Sequence, residues 1–189
     1  MGVSRTEAAA ALSDIEQTTS RSHLSRGYLI SGPILMTWGA IWVAGYLATG
    51  LKPEWSGAVW LPLDLIGVVA SIVLAMRGRS APGAGAGAAA GLGWRSAIGA
   101  LAVTAFIVVT FNLFRPVDPQ APVAYPGLIC GLVYVIMGVW RMTRFAWIGA
   151  AMFVATLIGY RLFPDILPFW MAAVGGGGLM LGGLWMRRA

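Results

Sequence analysis

Long, uninterrupted runs of apolar residues separated by short polar stretches dominate the chain. A helix needs about 20 apolar residues to cross the hydrocarbon core of a bilayer, and six runs have roughly that length. Strands of a membrane β-barrel would alternate apolar and polar residues, whereas these runs are continuous. The pattern therefore predicts an all-α integral membrane protein, a six-transmembrane-helix bundle. The predicted spans are Tyr28–Thr49, Gly57–Met76, Ser96–Phe114, Pro122–Trp140, Phe145–Phe163 and Ile166–Met186.

Two polar or low-complexity segments flank these spans. In residues 1–27, Ser4 and Glu7 have the spacing of a capping box, and apolar residues recur at helical intervals from Ala8 to Ile15. This spacing predicts a short amphipathic helix in a cytoplasmic N-terminal segment, ahead of a membrane domain formed by residues 28–189. Residues 80–93 consist almost wholly of Ala and Gly, which predicts a flexible loop.

Composition supports a membrane protein and removes several kinds of site. Hydrophobic residues make up 58% of the chain and charged residues 11%, against roughly 45–50% and about 25% in soluble domains. One cysteine, Cys130, and one histidine, His23, are too few for a disulfide or a structural zinc site. We therefore expect no bound metal and no cofactor.

The basic residues indicate an orientation. Of the 13 Lys and Arg residues, all but Lys52, Arg115 and Arg161 lie on the side of the amino terminus. By the positive-inside rule, both termini are expected to be cytoplasmic, and the short loops suggest a bacterial inner membrane. The net charge of +6 is dispersed over several loops. This favours the anionic headgroups of the lipid bilayer, and not nucleic acid, as the counter-charge.

Small residues in three spans predict close helix packing, because van der Waals approach drives helix association in lipid. Gly175, Gly178 and Gly182 share one face of the sixth span, and Gly127 and Gly131 form a GxxxG motif in the fourth. In the first span, Ala40 and Ala44 belong to a row of small residues at four-residue intervals. These rows fit contacts within the chain and also contacts with a partner.

Asp64 is the acid within the predicted spans. It lies two residues after Pro62, and an acid at this depth usually faces the bundle interior and a polar partner. Candidate partners are Asn112, Arg115 and Arg161, all near the outer ends of their spans. Two interpretations remain: a structural polar pair, or the polar focus of an outward-opening cavity that takes a ligand or a proton.

Catalysis is not expected. A metal site lacks ligands, and an aspartyl dyad needs two carboxylates at close range within the membrane. The first functional hypothesis is a non-catalytic membrane component that acts by associating with another membrane protein or a cytoplasmic protein. The alternative is a small carrier or substrate-capture subunit of a transport system, with its cavity around Asp64.

Overall fold

Helices form nearly all of the described chain. The computed structural model describes residues 5–79, 102–103, 105–114, 118–140 and 142–188, and these residues contain no strand. The all-α class predicted from the sequence is therefore confirmed. The helices are α1 (Arg5–Leu51), α2 (Ser56–Arg79), α3 (Ala105–Phe114), α4 (Ala121–Trp140), α5 (Thr143–Leu162), α6 (Leu167–Trp170) and α7 (Gly177–Arg187), with a π-helical stretch at Met171–Gly176 between the last two.

Five helical stretches are long and apolar enough to cross a membrane, which is typical of a multi-pass membrane protein. They coincide with five of the predicted spans and are Gly27–Leu51, Pro53–Arg77, Ala121–Trp140, Thr143–Leu162 and Pro164–Arg187. The remaining predicted span, Ser96–Phe114, lies partly outside the described residues, and its described part, α3, is a shorter apolar helix. The count of six spans therefore stays a prediction. The predicted flexible loop, residues 80–93, also lies outside the described residues.

The first helix is longer than its membrane span. α1 has 47 residues, or about 70 Å at 1.5 Å per residue, whereas its apolar span begins at Gly27. The predicted amphipathic helix is thus the beginning of one continuous helix and not a separate short one. Leu12 and Ile15, which the pattern assigned to its apolar face, are each 62% exposed.

Contacts between helix ends define two ends of the bundle. At one end, the Tyr160 hydroxyl donates to Asp118, and the ring of Phe169 lies against Gly50, next to Lys52. We call this the Lys52 end. At the other, the Arg144 end, the Arg144 guanidinium donates to the Trp185 carbonyl at 2.6 Å and lies 5.2 Å from the ring centre of Tyr28.

α1 is the central helix of the bundle. It packs against α2 on one side and against α6, the π-helical stretch and α7 on the other, while α4 and α5 form a second close pair. α5 also contacts the π-helical stretch and α7, which joins the two groups. The buried core residues are Leu35, Ile41, Trp42, Tyr46, Ala124, Phe145, Ile148, Met152, Leu167, Met171, Ala172, Leu179 and Met186.

Glycines hold α1 against the last span. A β-carbon on Gly183 would lie 2.5 Å from the Gly32 carbonyl oxygen, and one on Gly176 would lie 2.8 Å from the Gly39 carbonyl oxygen. The paired positions are seven residues apart in both helices, so the helices run antiparallel with their backbones in contact twice. We call these four residues the glycine seam. Any larger side chain here would force the two backbones apart.

The predicted glycines of the fourth span lie at the contact with α5. A β-carbon on Gly131 would lie 2.9 Å from the Gly149 carbonyl oxygen, and one on Gly127 would lie 2.5 Å from the Thr156 hydroxyl oxygen. Both glycines are buried. They let α4 and α5 approach closely in antiparallel orientation.

The prediction for Gly178 is wrong. Gly175 and Gly182 do contact side chains of Trp42 and Ile148, but a β-carbon on Gly178 would meet no atom of the described residues within 4 Å. The buried arc of α7 is centred on the fully buried Leu179 and Met186. Gly178 lies about 100° around the helix from Leu179, which places it outside this arc.

The alanine row of the first span is not covered by the described residues. Ala40 and Ala44 are exposed on α1, so the predicted packing of this row inside the chain is not formed by the part of the structure that is described. α1 uses the glycine seam instead, on a different side of the helix. The row faces outward from the bundle.

Candidate functional site around Asp64

Asp64 lies on α2 at the flank of its contact with α1. Two residues of α2 make this contact. Gly67 lies against the side chains of Trp38 and Ile41, and the Trp60 ring packs on Gly45. Asp64 precedes Gly67 by three residues and is therefore about 60° around the helix from it. Its side chain is exposed, so it lies beside the α1–α2 contact and not within it.

The position of Asp64 along α2 decides how far it lies from the end of the helix. Counting from Ser56, where α2 begins, it lies about 12 Å along the helix axis. An ionised carboxylate at membrane depth costs on the order of 2.5–3.5 kcal/mol on insertion scales. Asp64 therefore has a strong physical requirement for a partner.

Two polar groups on neighbouring helices influence the surroundings of Asp64. Its carboxylate is within electrostatic range of the Tyr46 hydroxyl on α1 and of the Cys130 thiol on α4. The extensive contacts of α2 within the described chain are with α1 and the turn Pro53–Trp55. Asp64 therefore lies on the open flank of α2, beside its contact with α1.

The predicted partners are not assembled around Asp64 in the described part of the chain. The Asn112 side-chain amide donates to the Val108 carbonyl of its own helix at 2.8 Å. Arg161 is exposed in the last turn of α5, and Arg115 lies outside the described residues. Among the described residues, Asp64 has no hydrogen-bond or ion-pair partner. The four-residue polar focus stays a prediction.

Aromatic residues beside this position form a cluster centred on Tyr46. The Tyr46 ring is fully buried, 5.6 Å from the ring of Trp42 and 5.0 Å from that of Trp60, with edge-on geometry in both cases. Its hydroxyl donates to the Val123 carbonyl of α4 at 3.0 Å. This role of Tyr46 was not predicted from the sequence, although Trp38, Trp42 and Tyr46 follow one another at four-residue intervals, which places them on one side of α1.

Two indole groups at the contact between α1 and α2 are fixed by hydrogen bonds. Trp38 donates to the Ser71 hydroxyl at 3.0 Å, and Trp60 donates to the Thr49 hydroxyl at 3.1 Å. Both bonds join α1 to α2. Of the two tryptophans on this side of α1, Trp42 packs in the core, and Trp38 positions α2.

Several hydroxyl groups within the described spans donate to their own helix. Thr49, Ser71 and Thr156 each donate to the carbonyl four residues earlier, at 2.9, 2.7 and 2.8 Å. This back-bonding is common for Ser and Thr inside helices. These three hydroxyl groups therefore stabilise their own helices and do not donate into a shared cavity.

A second polar group lies at the Lys52 end. The Asp118 carboxylate accepts hydrogen bonds from the Tyr160 hydroxyl and, at 2.8 Å, from the Gln120 backbone N–H. These two donors, the tyrosine first, hold the pKa of Asp118 below its usual value. The group connects the turn before α4 to the end of α5.

No metal chemistry is indicated by the described residues, because no three His, Cys, Asp or Glu side chains among them are grouped as ligands. Comparison with protein families, curated proteins and solved structures finds no match to this chain.

Proposed function

We propose that the protein is a non-catalytic component of a membrane assembly, which acts by lateral association of its helices with another membrane protein. The observation that carries this proposal is the isolation of α2. Only 6% of the residues in the most apolar window of its span are buried, against 28–44% in the other four spans. Among the described residues, α2 packs extensively on α1 and on the turn Pro53–Trp55, which leaves a broad surface for another helix.

Between Gly57 and Met76, the exposed residues of α2 are apolar except Asp64. Leu61, Leu65 and Val69 are 68%, 59% and 60% exposed, and they lie on the side of α2 turned away from Gly67, with Asp64 at the edge of this surface. Lipid alone solvates the apolar residues well, but it does not solvate a carboxylate. The combination favours a protein neighbour at this surface over lipid alone.

The carrier hypothesis receives less support. A carrier should collect several uncommitted polar groups at one depth, whereas Thr49, Ser71 and Thr156 are bonded to their own helices. The Tyr46 hydroxyl is likewise committed to α4. We therefore place association ahead of transport, in a bacterial inner membrane with both termini in the cytoplasm.

Photo-crosslinking in native membranes tests this proposal. A photoactivatable residue at Leu65 should give a discrete protein adduct of constant mass. The matched control is Val154 on α5, which is 53% exposed but lies on a helix with neighbours on several sides. If Leu65 gives only lipid adducts, or the same adducts as Val154, lateral association through α2 is wrong.

A further inference from the structure

A carboxylate at membrane depth is stabilised by a donor or a cation, and the donors of the described residues on the helices near Asp64 are bonded to other groups. The Tyr46 hydroxyl donates to Val123, the Trp60 indole to Thr49 and the Trp38 indole to Ser71. On α3, the Asn112 amide is bonded to its own helix. Cys130 remains within electrostatic range, but a thiol is a weak donor.

The described cations near the bundle ends do not reach the depth of Asp64, and Arg161 is exposed in the last turn of α5. Lys52 lies 4.2 Å from the ring centre of Trp55, and Arg144 is bonded to Trp185 at the opposite end of the bundle. Arg77, Arg187 and Arg188 follow the ends of their spans at that same end. Within the described spans, a second copy of this chain would bring Asp64 no cation at its own depth. A symmetric contact would instead bring the two acids together.

We propose that the occupant of the α2 surface is a transmembrane helix that carries one Arg or Lys at the depth of Asp64. This inference rests on the proposed function and names the chemistry of the partner. Charge complementarity is its basis: the surface is apolar around a single acid, and a basic residue in an otherwise apolar helix has the matching pattern. Such a pair neutralises two groups that lipid solvates poorly.

A reconstituted system with synthetic helices tests this chemistry. The full-length protein carries a donor fluorophore in phosphatidylcholine vesicles, and acceptor-labelled leucine-alanine helices are added that differ at one position, Arg, Leu or Glu, at the depth of Asp64. We expect the Arg helix to associate about three- to tenfold more strongly than the Leu helix, the range of interhelical polar contacts in membranes. The Glu helix should associate least.

Variants of the protein provide the controls. Asp64→Asn should remove the preference for the Arg helix, whereas Asp118→Asn, at the Lys52 end, should preserve it. Asp64→Lys should reverse the preference toward the Glu helix, a gain that misfolding cannot produce.

Equal association of the Arg and Leu helices, or a preference that Asp64→Asn leaves intact, would overturn the inference. Energy transfer between two labelled copies of the protein that depends on Asp64 would do so as well, since it would identify a second copy as the occupant. If the adduct from Leu65 persists in native membranes while the Arg helix shows no preference, association stands and only the basic partner is wrong. If the adduct is lost, the proposed function itself fails.

Discussion

At the scale of single residues, Asp118 shows how a surface acid becomes part of the fold. Its carboxylate accepts from the Tyr160 hydroxyl and from the Gln120 N–H, and both bonds favour the ionised form, so its pKa is lowered. A group with a lowered native pKa stabilises the fold above its unfolded pKa, about 3.9 for Asp. That stabilisation is lost as the pH falls through the native pKa.

The pH dependence gives a direct test. The difference in Tm between the wild type and Asp118→Asn should be constant above about pH 5 and should shrink progressively below about pH 4. In a Tyr160→Phe background the difference should be smaller at every pH above 5, because the principal donor is absent. Thermal unfolding in detergent measures it, and a difference that does not change with acidification contradicts the role given to Asp118.

Tyr46 allows a second test at this scale. Tyr46→Phe keeps the ring but leaves the Val123 carbonyl without the donor that joins α1 to α4. Interhelical hydrogen bonds in membranes contribute about 0.6–1.7 kcal/mol, so we expect a loss of stability in that range. Tyr125→Phe is the matched control: its ring packs on Phe111, and its hydroxyl has no hydrogen bond among the described residues. Equal unfolding free energies for the two variants would contradict the bond.

At the scale of elements, the glycine seam sets the distance between α1 and the last span. Gly183→Ala places a β-carbon 2.5 Å from the Gly32 carbonyl oxygen, and forcing atoms into a packed contact costs about 1–3 kcal/mol. Gly178→Ala, in the same helix, meets no atom within 4 Å. Chemical unfolding in mixed micelles should therefore show a loss for Gly183→Ala and little change for Gly178→Ala. Similar losses for both would mean that the seam is not a close contact.

The same elements show what the sequence could and could not predict. Apolar length predicted five spans of the described chain because crossing a bilayer constrains each helix independently of its neighbours. Which face a helix buries depends on its neighbours, and the sequence of one helix does not contain them. The pattern therefore predicted Gly178 as a packing residue, whereas Gly176 and Gly183 make the contact with α1. The heptad interval shared by Gly32–Gly39 and Gly176–Gly183 was the available signal.

For Asp64, too, one property could be predicted from the sequence and another could not. Its depth follows from its place in the span, which the sequence contains. Its direction follows from the rotation of α2, which Trp60 and Gly67 fix through contacts with α1. No pattern within α2 alone specifies that rotation. The sequence therefore could not predict whether Asp64 faces Asn112 and Arg161.

At the scale of the whole molecule, charge differs between the two ends of the bundle. Arg77, Arg144, Arg187 and Arg188 gather at the Arg144 end, whereas the Lys52 end combines both signs. There Glu54 and Asp165 accompany Lys52 and Arg161 in the turns between helices. Because the distribution of Lys and Arg near span ends sets orientation, the fold presents two distinguishable ends to the insertion machinery.

The orientation predicted from this asymmetry can be tested with reporters on both sides of the membrane. Fusions of alkaline phosphatase after Pro53, Pro119 and Pro164 should be active, because these positions belong to the Lys52 end, which we place outside the cytoplasm. Fusions within residues 80–93 and after Arg188 should be inactive and should instead give active cytoplasmic reporters, because translocating the Arg144 end would move its arginines across the membrane against the positive-inside bias. The control is a variant with Arg187→Gln and Arg188→Gln. Its reporters should show a mixed orientation of the last span before they show one for the other spans. The reverse pattern of activity in the unmodified chain would show that the arginines do not set its topology.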